Sequence, residues 1–224
     1  MGLREYCAEY GQNPNDVPEI AERYKGRTLI VCGDGWTVWD DLERLGCRDD
    51  KGPGNRGGVK PYDPDVDFMV VNGLGCVFPG KIEHWYSNEP AILNKYIAAR
   101  RPEYAREWGG ANHTHSCNRG AKWKWPFGGH GTSGLGAILC GLGMGYQQII
   151  ICGMPLDNGP HNGEPPWRRC RFETAEVASS KNGGWPTHWK RAIAYAFDGK
   201  VAAMSGRPNE WIGGPNDPRN SVHT

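Results

Sequence analysis

Apolar and polar positions alternate between two periods along this chain. Thr28–Cys32 is an unbroken apolar, β-branched run, the pattern of a strand buried on both faces of a parallel sheet. It stops at Gly33-Asp34-Gly35. Trp36, Val38, Trp39, Leu42 and Leu45 then recur at helical spacing, and Gly46 closes the segment as a helix-terminating glycine does. Residues 67–72 form the next strand, broken by Gly73, and 82–86 a short third one. Residues 90–100 read as a helix that starts on Pro90 and stops before Pro102. Thr132-Ser133-Gly134 opens a helix through Leu135, Ile138, Leu139 and Leu142 to about Gly145. Gln147 to Cys152 is another buried strand, ending at Gly153. A helix over 187–197 and a last short strand over 200–204 follow. Residues 1–26 give a polar lead-in with one helix, capped near Asn15-Asp16-Val17-Pro18. Two stretches lack any period, 105–131 and the long polar loop 154–186. Helix-then-strand alternation of this kind predicts a single α/β domain with a Rossmann-like, mostly parallel sheet flanked by helices.

Composition sharpens this picture. Gly (33) and Pro (17) make up more than a fifth of the 224 residues, against roughly 12% on average, yet stay below the level of a disordered chain. Ten Trp residues argue for a packed core. No run approaches 18 apolar residues, so no membrane span is expected. The formal net charge is +1, and Arg100-Arg101, Lys122/Lys124 and Arg168-Arg169-Cys170-Arg171 are short enough to be solvated surface charge, so no strong nucleic-acid signal exists. The N-terminus has no apolar signal region. Eight scattered cysteines, none at C-x-x-C spacing, fit a cytoplasmic chain with reduced thiols.

Candidate chemistry lies where the apolar runs stop. Gly33-Asp34-Gly35 follows the first strand, where glycine N–H groups approach a phosphate or ribose and Asp34 suits a sugar hydroxyl. The third glycine of a dinucleotide fingerprint is replaced by Val38. Asn72-Gly73 follows the second strand and reads equally as a ligand edge or a turn. In 128–134, Gly131, Thr132, Ser133 and Gly134 lead into a helix: one hydroxyl caps it, and the other, with free N–H groups, faces phosphate or carboxylate. No P-loop lysine is present. Asp157, beyond the strand at 147–152, stands where a strand-edge carboxylate holds a hydroxyl, or makes an Asx-turn. His113-Thr-His115 shares one strand face, but two further metal ligands do not stand out. His188 follows the long loop and suits a general base, with a structural histidine as the ordinary alternative. Trp123, Trp125, Trp167, Trp185 and Trp189 flank the expected cleft as stacking groups or as core.

Taken together, strand-Gly-Asp-Gly, Val-Val-Asn, Gly-Thr-Ser-Gly-Leu opening a helix, and Gly-Tyr-x-x-Ile-Ile-Ile-x-Gly-x-x-x-Asp resemble the bacterial CMP-sialic acid sialyltransferases of glycosyltransferase family 42. They also resemble the related MptE-like 6-hydroxymethylpterin pyrophosphokinase domain, and uncharacterised phage proteins look similar. The likeness is closest over 131–157 and extends more weakly over 27–206. Where the family's first turn typically reads Gly-Asn-Gly-Pro-Ser, this chain has Gly33-Asp34-Gly35-Trp36-Thr37. The resemblance implies a nucleotide(-sugar)-binding domain over 27–206, with 207–224 as a tail. It implies nucleotide contacts from Gly33, Gly35, Asn72, Thr132, Ser133 and Gly134 and a base at His188. The expected activity is metal-independent glycosyl transfer from a nucleotide sugar, with no cofactor, in the cytoplasm (a host's, for a phage-encoded chain). Two rivals stand beside it: a pterin or nucleotide pyrophosphokinase using Mg²⁺ on Asp34, Asp40, Asp41 or Asp157, and a non-catalytic nucleotide-binding protein. Homo-oligomerisation stays open.

Overall fold

A computed structural model describes residues 18–48, 58–126, 132–157 and 184–220, together with Leu3, Cys7, Asn13 and Asp16. Its centre is a seven-stranded, all-parallel sheet in the order β5-β4-β3-β2-β1-β6-β7. The strands are β1 (Thr28–Cys32), β2 (Val66–Val71), β3 (His84–Tyr86), β4 (His113–Ser116), β5 (Trp123–Lys124), β6 (Gln148–Cys152) and β7 (Val201–Ala203). Seven α-helices appear among the described residues: α1 (Val38–Arg44), α2 (Leu74–Val77), α3 (Pro90–Ala98), α4 (Pro102–Trp108), α5 (Ser133–Gly143), α6 (Gly184–Ala192) and α7 (Gly206–Ile212). The expected Rossmann-like α/β fold is the one observed.

The unbroken apolar runs follow from burial on both faces. Leu29 and Val31 of β1 join Ile149 and Ile151 of β6 in a core covered by α5 and α6, through Leu135, Ile138, Leu139, Trp189 and Phe197. Ile30 and Cys32 point the other way. They pack with Phe68, Val70 and Trp85 under α1, α2 and α3, through Val38, Leu42, Leu74, Leu93 and Tyr96. Residues two apart on a strand therefore alternate between the two cores. Glycine lets α5 lie close on the sheet: a Cβ on Gly136 would stand 2.2 Å from the Tyr86 hydroxyl.

Three features depart from the sequence pattern. The aperiodic stretch contains β4 and β5, short strands at one side of the sheet carrying His, Thr, Ser and Lys rather than an apolar run. The helix expected near Tyr24 is, over 19–26, a series of turns tied to the end of α5 by Glu22 N–H to Gly143 O and Tyr24 N–H to Met144 O. Helix α6 continues into a π-helical segment, Ile193–Phe197, that ends at Asp198 in the left-handed region (φ 45°). Beyond β7 the chain stays on the fold, since Ala203 N–H donates to Gly213 O at 2.9 Å and holds α7 against the sheet. No described helix is long and apolar enough to cross a membrane.

Candidate functional site

Strand order reverses between β1 and β6. From β1 the chain builds outward through β2 to β5, then returns by α5 to the other side of β1. In open α/β sheets the carboxyl ends at such a reversal form the crevice where ligands bind. Here those ends are Cys32-Gly33 and Cys152-Gly153, in register across the pair.

The glycines at this point are occupied by the protein itself. Gly33 N–H donates to Cys152 O at 2.8 Å and Gly35 N–H to Gly153 O at 2.9 Å. A Cβ on Gly33 would lie 2.5 Å from both Gly153 O and Met154 Cγ, and one on Gly35 2.7 Å from Gly153 O. Close approach of the β6 loop thus accounts for both residues, and their N–H groups face backbone carbonyls. Met154 also fills the space towards α5, where a Cβ on Gly134 would meet its Sδ at 2.5 Å. Asp34 is half-buried beside this turn.

Below the turn lies Asp41, fully buried. Its Oδ2 accepts Gly153 N–H (2.9 Å), Thr37 Oγ–H (3.1 Å) and Ser205 Oγ–H (2.7 Å), while Arg44 pairs with Oδ1. One carboxylate therefore binds the carboxyl ends of β6 and β7 to the first turn of α1. It is one of the four aspartates that the magnesium-dependent alternative would use, and its oxygens are engaged by protein donors. Asp40 on the same helix is exposed. The readable signal for Asp41 is its i, i+4 spacing from Thr37 at the start of a helix.

Above the turn, Trp36 is exposed, and its Nε1–H reaches both carboxylate oxygens of exposed Asp157 at 3.3 Å. Leu156, the residue before Asp157, has φ 54°, a strained conformation for a bulky side chain and of the kind that gathers at functional sites. Asp157 thus lies beyond the end of β6, with the Trp36 indole N–H directed at its carboxylate.

Asn72, at the end of β2, also adopts a left-handed conformation (φ 51°). Its N–H donates to Tyr86 O (3.0 Å) and its carbonyl accepts Trp85 Nε1–H (2.8 Å). Its backbone is thereby tied to β3, one strand away from the reversal. At the start of α5, Thr132 Oγ1 accepts Leu135 N–H at 3.2 Å and caps the helix. The same oxygen accepts Trp189 Nε1–H from α6 at 3.2 Å. The Ser133 side chain, half-buried, makes no hydrogen bond to a described residue. Gly131 lies outside the described residues. His188 precedes Trp189 on α6 and is half-buried, so the Thr132–Trp189 bond brings the turn carrying His188 to the start of α5.

Core packing, one of the two roles open to the tryptophans, is the one taken by two of them. Trp125 and Trp189 are fully buried core residues, and Trp123 is half-buried on β5, its Nε1–H on His113 Nδ1 at 3.3 Å. Trp167 and the side chain of Trp185 are outside the described residues. The exposed tryptophan at the crevice is Trp36, which the helical periodicity had absorbed into α1. His113 and His115 do share a face of β4, yet both belong to an interior network with His84. Burial pushes the His115 imidazole down to about 3 and His84 well below its ordinary value. Among the described residues no group of three or more His, Cys, Asp or Glu is arranged to hold a metal ion.

Comparison with protein-family models, with curated proteins and with solved structures finds no match.

Proposed function

We propose that this chain binds a nucleotide or nucleotide sugar across the carboxyl edge of its sheet and transfers the sugar to an acceptor hydroxyl. The observation that carries the reading is the hydrogen bond from Trp189 Nε1 to Thr132 Oγ1. It ties the helix bearing His188 to the N-terminal end of α5, beside the strand-order reversal. A helix N-terminus favours an anion, and α5 opens with Ser133 and Gly134, whose N–H groups precede the first capped one. With Thr132 used as the cap and Gly33 and Gly35 facing carbonyls, the donors left for a phosphate among the described residues of these motifs are those of Ser133 and Gly134.

In this scheme the acceptor oxygen forms a bond to the anomeric carbon as the bond from that carbon to the phosphate oxygen breaks. His188 takes the acceptor proton, and the Ser133 end of α5 stabilises the charge that collects on the departing phosphate. A positioned base of this kind typically contributes about 10²–10⁴-fold. Asp157 would hold a ligand hydroxyl. The resemblance to family 42 sialyltransferases supports the same roles.

A thermal-shift screen against CMP, UDP, GDP, ADP and their sugars tests the binding step, since a ligand at a hundredfold excess over Kd adds about 2.7 kcal/mol to stability. His188→Ala is expected to abolish turnover with the responding sugar nucleotide and to keep its thermal shift. Turnover unchanged in that variant removes His188 from the mechanism, and no shift with any nucleotide defeats the reading.

A further inference from the structure

We infer that Trp36 is the platform on which the base of the bound nucleotide stacks, an assignment that rests on the nucleotide reading above. Three observations converge on this indole. It stands at the reversal between β1 and β6, directly after the Gly35 N–H bond to Gly153 O. It is 46% exposed, whereas Trp85, Trp125 and Trp189 are completely buried. Its Nε1–H is directed at Asp157 across the crevice at 3.3 Å, which fixes the ring plane without covering it. An aromatic face left in water but held in one orientation is prepared for a flat partner, because stacking on it costs little further side-chain entropy.

The chemistry at the other end of the site decides which part of the ligand this partner is. The anomeric carbon has to reach the base, and His188 is on α6, tied to Thr132 at the start of α5. The sugar therefore lies on the α5–α6 side of the phosphate. What remains of a nucleotide sugar on the opposite side of the phosphate is the nucleoside. That opposite side is the β1–β6 side. Met154 marks the separation: its side chain lies between Gly33 and Gly134, in contact distance of a Cβ on either, so the first turn of α5 and the turn that leads to Trp36 flank one methionine. Asp157, facing the same ring, is an acceptor at the ribose side of that nucleoside.

The test compares wild type, Trp36→Ala and Trp36→Phe by isothermal titration with CMP, UMP, AMP and GMP, alongside the melting temperature of each protein without ligand. Base–aromatic stacking removed by alanine is expected to weaken the nucleotide that binds wild type by roughly 5- to 150-fold. Phenylalanine, which keeps a ring face, should retain most of the affinity, and the ligand-free melting temperatures should agree. A Trp36→Ala protein that binds as tightly as wild type overturns the platform and leaves the nucleotide reading standing. A Trp36→Phe loss as large as that of alanine assigns the effect to the Asp157 hydrogen bond and overturns stacking. If wild type binds none of the four, the nucleotide reading falls and this inference with it.

Discussion

His84 Nδ1 lies 3.0 Å from His115 Nε2, and both imidazoles are completely buried. The rest of the chain of hydrogen bonds fixes where every proton is. Trp125 Nε1–H can only donate, so His115 Nδ1, at 3.0 Å, accepts. Neutral His115 then carries its proton on Nε2 and donates it to His84 Nδ1. His84 in turn donates from Nε2 to the Tyr146 hydroxyl at 2.9 Å, and Tyr146 donates to Asp67 Oδ2 at 2.8 Å. Asp67 is an acceptor only and is held by Arg27 through two bonds, at 2.7 and 2.9 Å. Both ends of the string dictate the same polarity, and it closes only with both histidines neutral.

That requirement predicts acid sensitivity. Burial lowers the folded-state values of His84 and His115 below their ordinary 6.5, that of His115 to about 3. Tyr24, His113, His115 and Tyr146 pack around His84, and His113 and Lys122 act on His115; none of these contacts restores the charge. The unfolded chain therefore binds more protons as pH falls below about 6.5, and the stabilisation is complete above that pH and lost towards pH 3. Each such histidine contributes a slope of about 1.4 kcal/mol per pH unit. Urea midpoints measured from pH 7.5 to 4.5 should fall steadily below pH 6.5, and a double His84→Gln, His115→Gln protein should show a flatter profile. A flat wild-type profile would mean that the string is not neutral.

Tyr146→Phe removes the one group that both accepts from His84 and donates to Asp67. The ring stack with Tyr24, 4.9 Å between centroids, is kept, so the loss isolates the hydroxyl. His84 Nε2–H is left buried without an acceptor, at a cost of about 1–3 kcal/mol. Chemical denaturation of the variant at pH 7.5 checks the value. A change below the scatter of the measurement would argue that water replaces the hydroxyl.

The sequence pattern was informative where the chain obeys one physical rule at a time. Thr28–Cys32 and Gln148–Cys152 are buried on both faces, so their apolar runs alone announce two central parallel strands. His113–Ser116 is polar because its side chains are hydrogen-bonded, His115 to His84 and Trp125, His113 to Trp123, Ser116 to the Asn88 carbonyl and Thr114 to Lys122 N–H, and no periodicity reports such bonds. Site positions were legible as strand ends, but their contacts were not. Gly33 and Gly35 look alike as ligand turns or as close packing until the partner strand is known, and the partner, Gly153, is over a hundred residues distant. Trp36 fits the helical spacing of α1, yet it precedes Val38, the first residue of that helix, and its indole N–H is directed at Asp157.

Asp41 binds the carboxyl ends of β6 and β7 to the first turn of α1. Asp41→Ala would leave the buried Gly153 N–H without its acceptor and the Thr37 and Ser205 hydroxyls, 2.9 Å apart, with only each other. Arg44 is about half exposed (54% side-chain exposure) and recovers water, so its pairing adds little to the loss. The expected destabilisation is about 2–4 kcal/mol, and Ser205→Ala, which deletes one donor, should cost about 1 kcal/mol. A double-mutant cycle between the two sites should give a coupling energy beyond about 0.5 kcal/mol. Additive losses would place Ser205 outside the network.

Gly33→Ala and Gly134→Ala separate the two sides of Met154. The new methyl on Gly134 meets the Met154 sulfur at 2.5 Å, near the end of a flexible side chain that can swing aside. The methyl on Gly33 meets Gly153 O, also at 2.5 Å, and that carbonyl is held by its hydrogen bond from Gly35. Overpacking against backbone forces the β1 and β6 ends apart, at about 1–3 kcal/mol or more. Gly33→Ala should therefore be the more damaging change in thermal denaturation. Adding Met154→Ala should recover most of the loss in the Gly134→Ala protein and only part of it in the Gly33→Ala protein, because the Gly33 methyl meets the Gly153 carbonyl as well as Met154 Cγ. Equal recovery in both would show that the β6 loop yields at Gly153, and the crevice would then be softer than its hydrogen bonds imply.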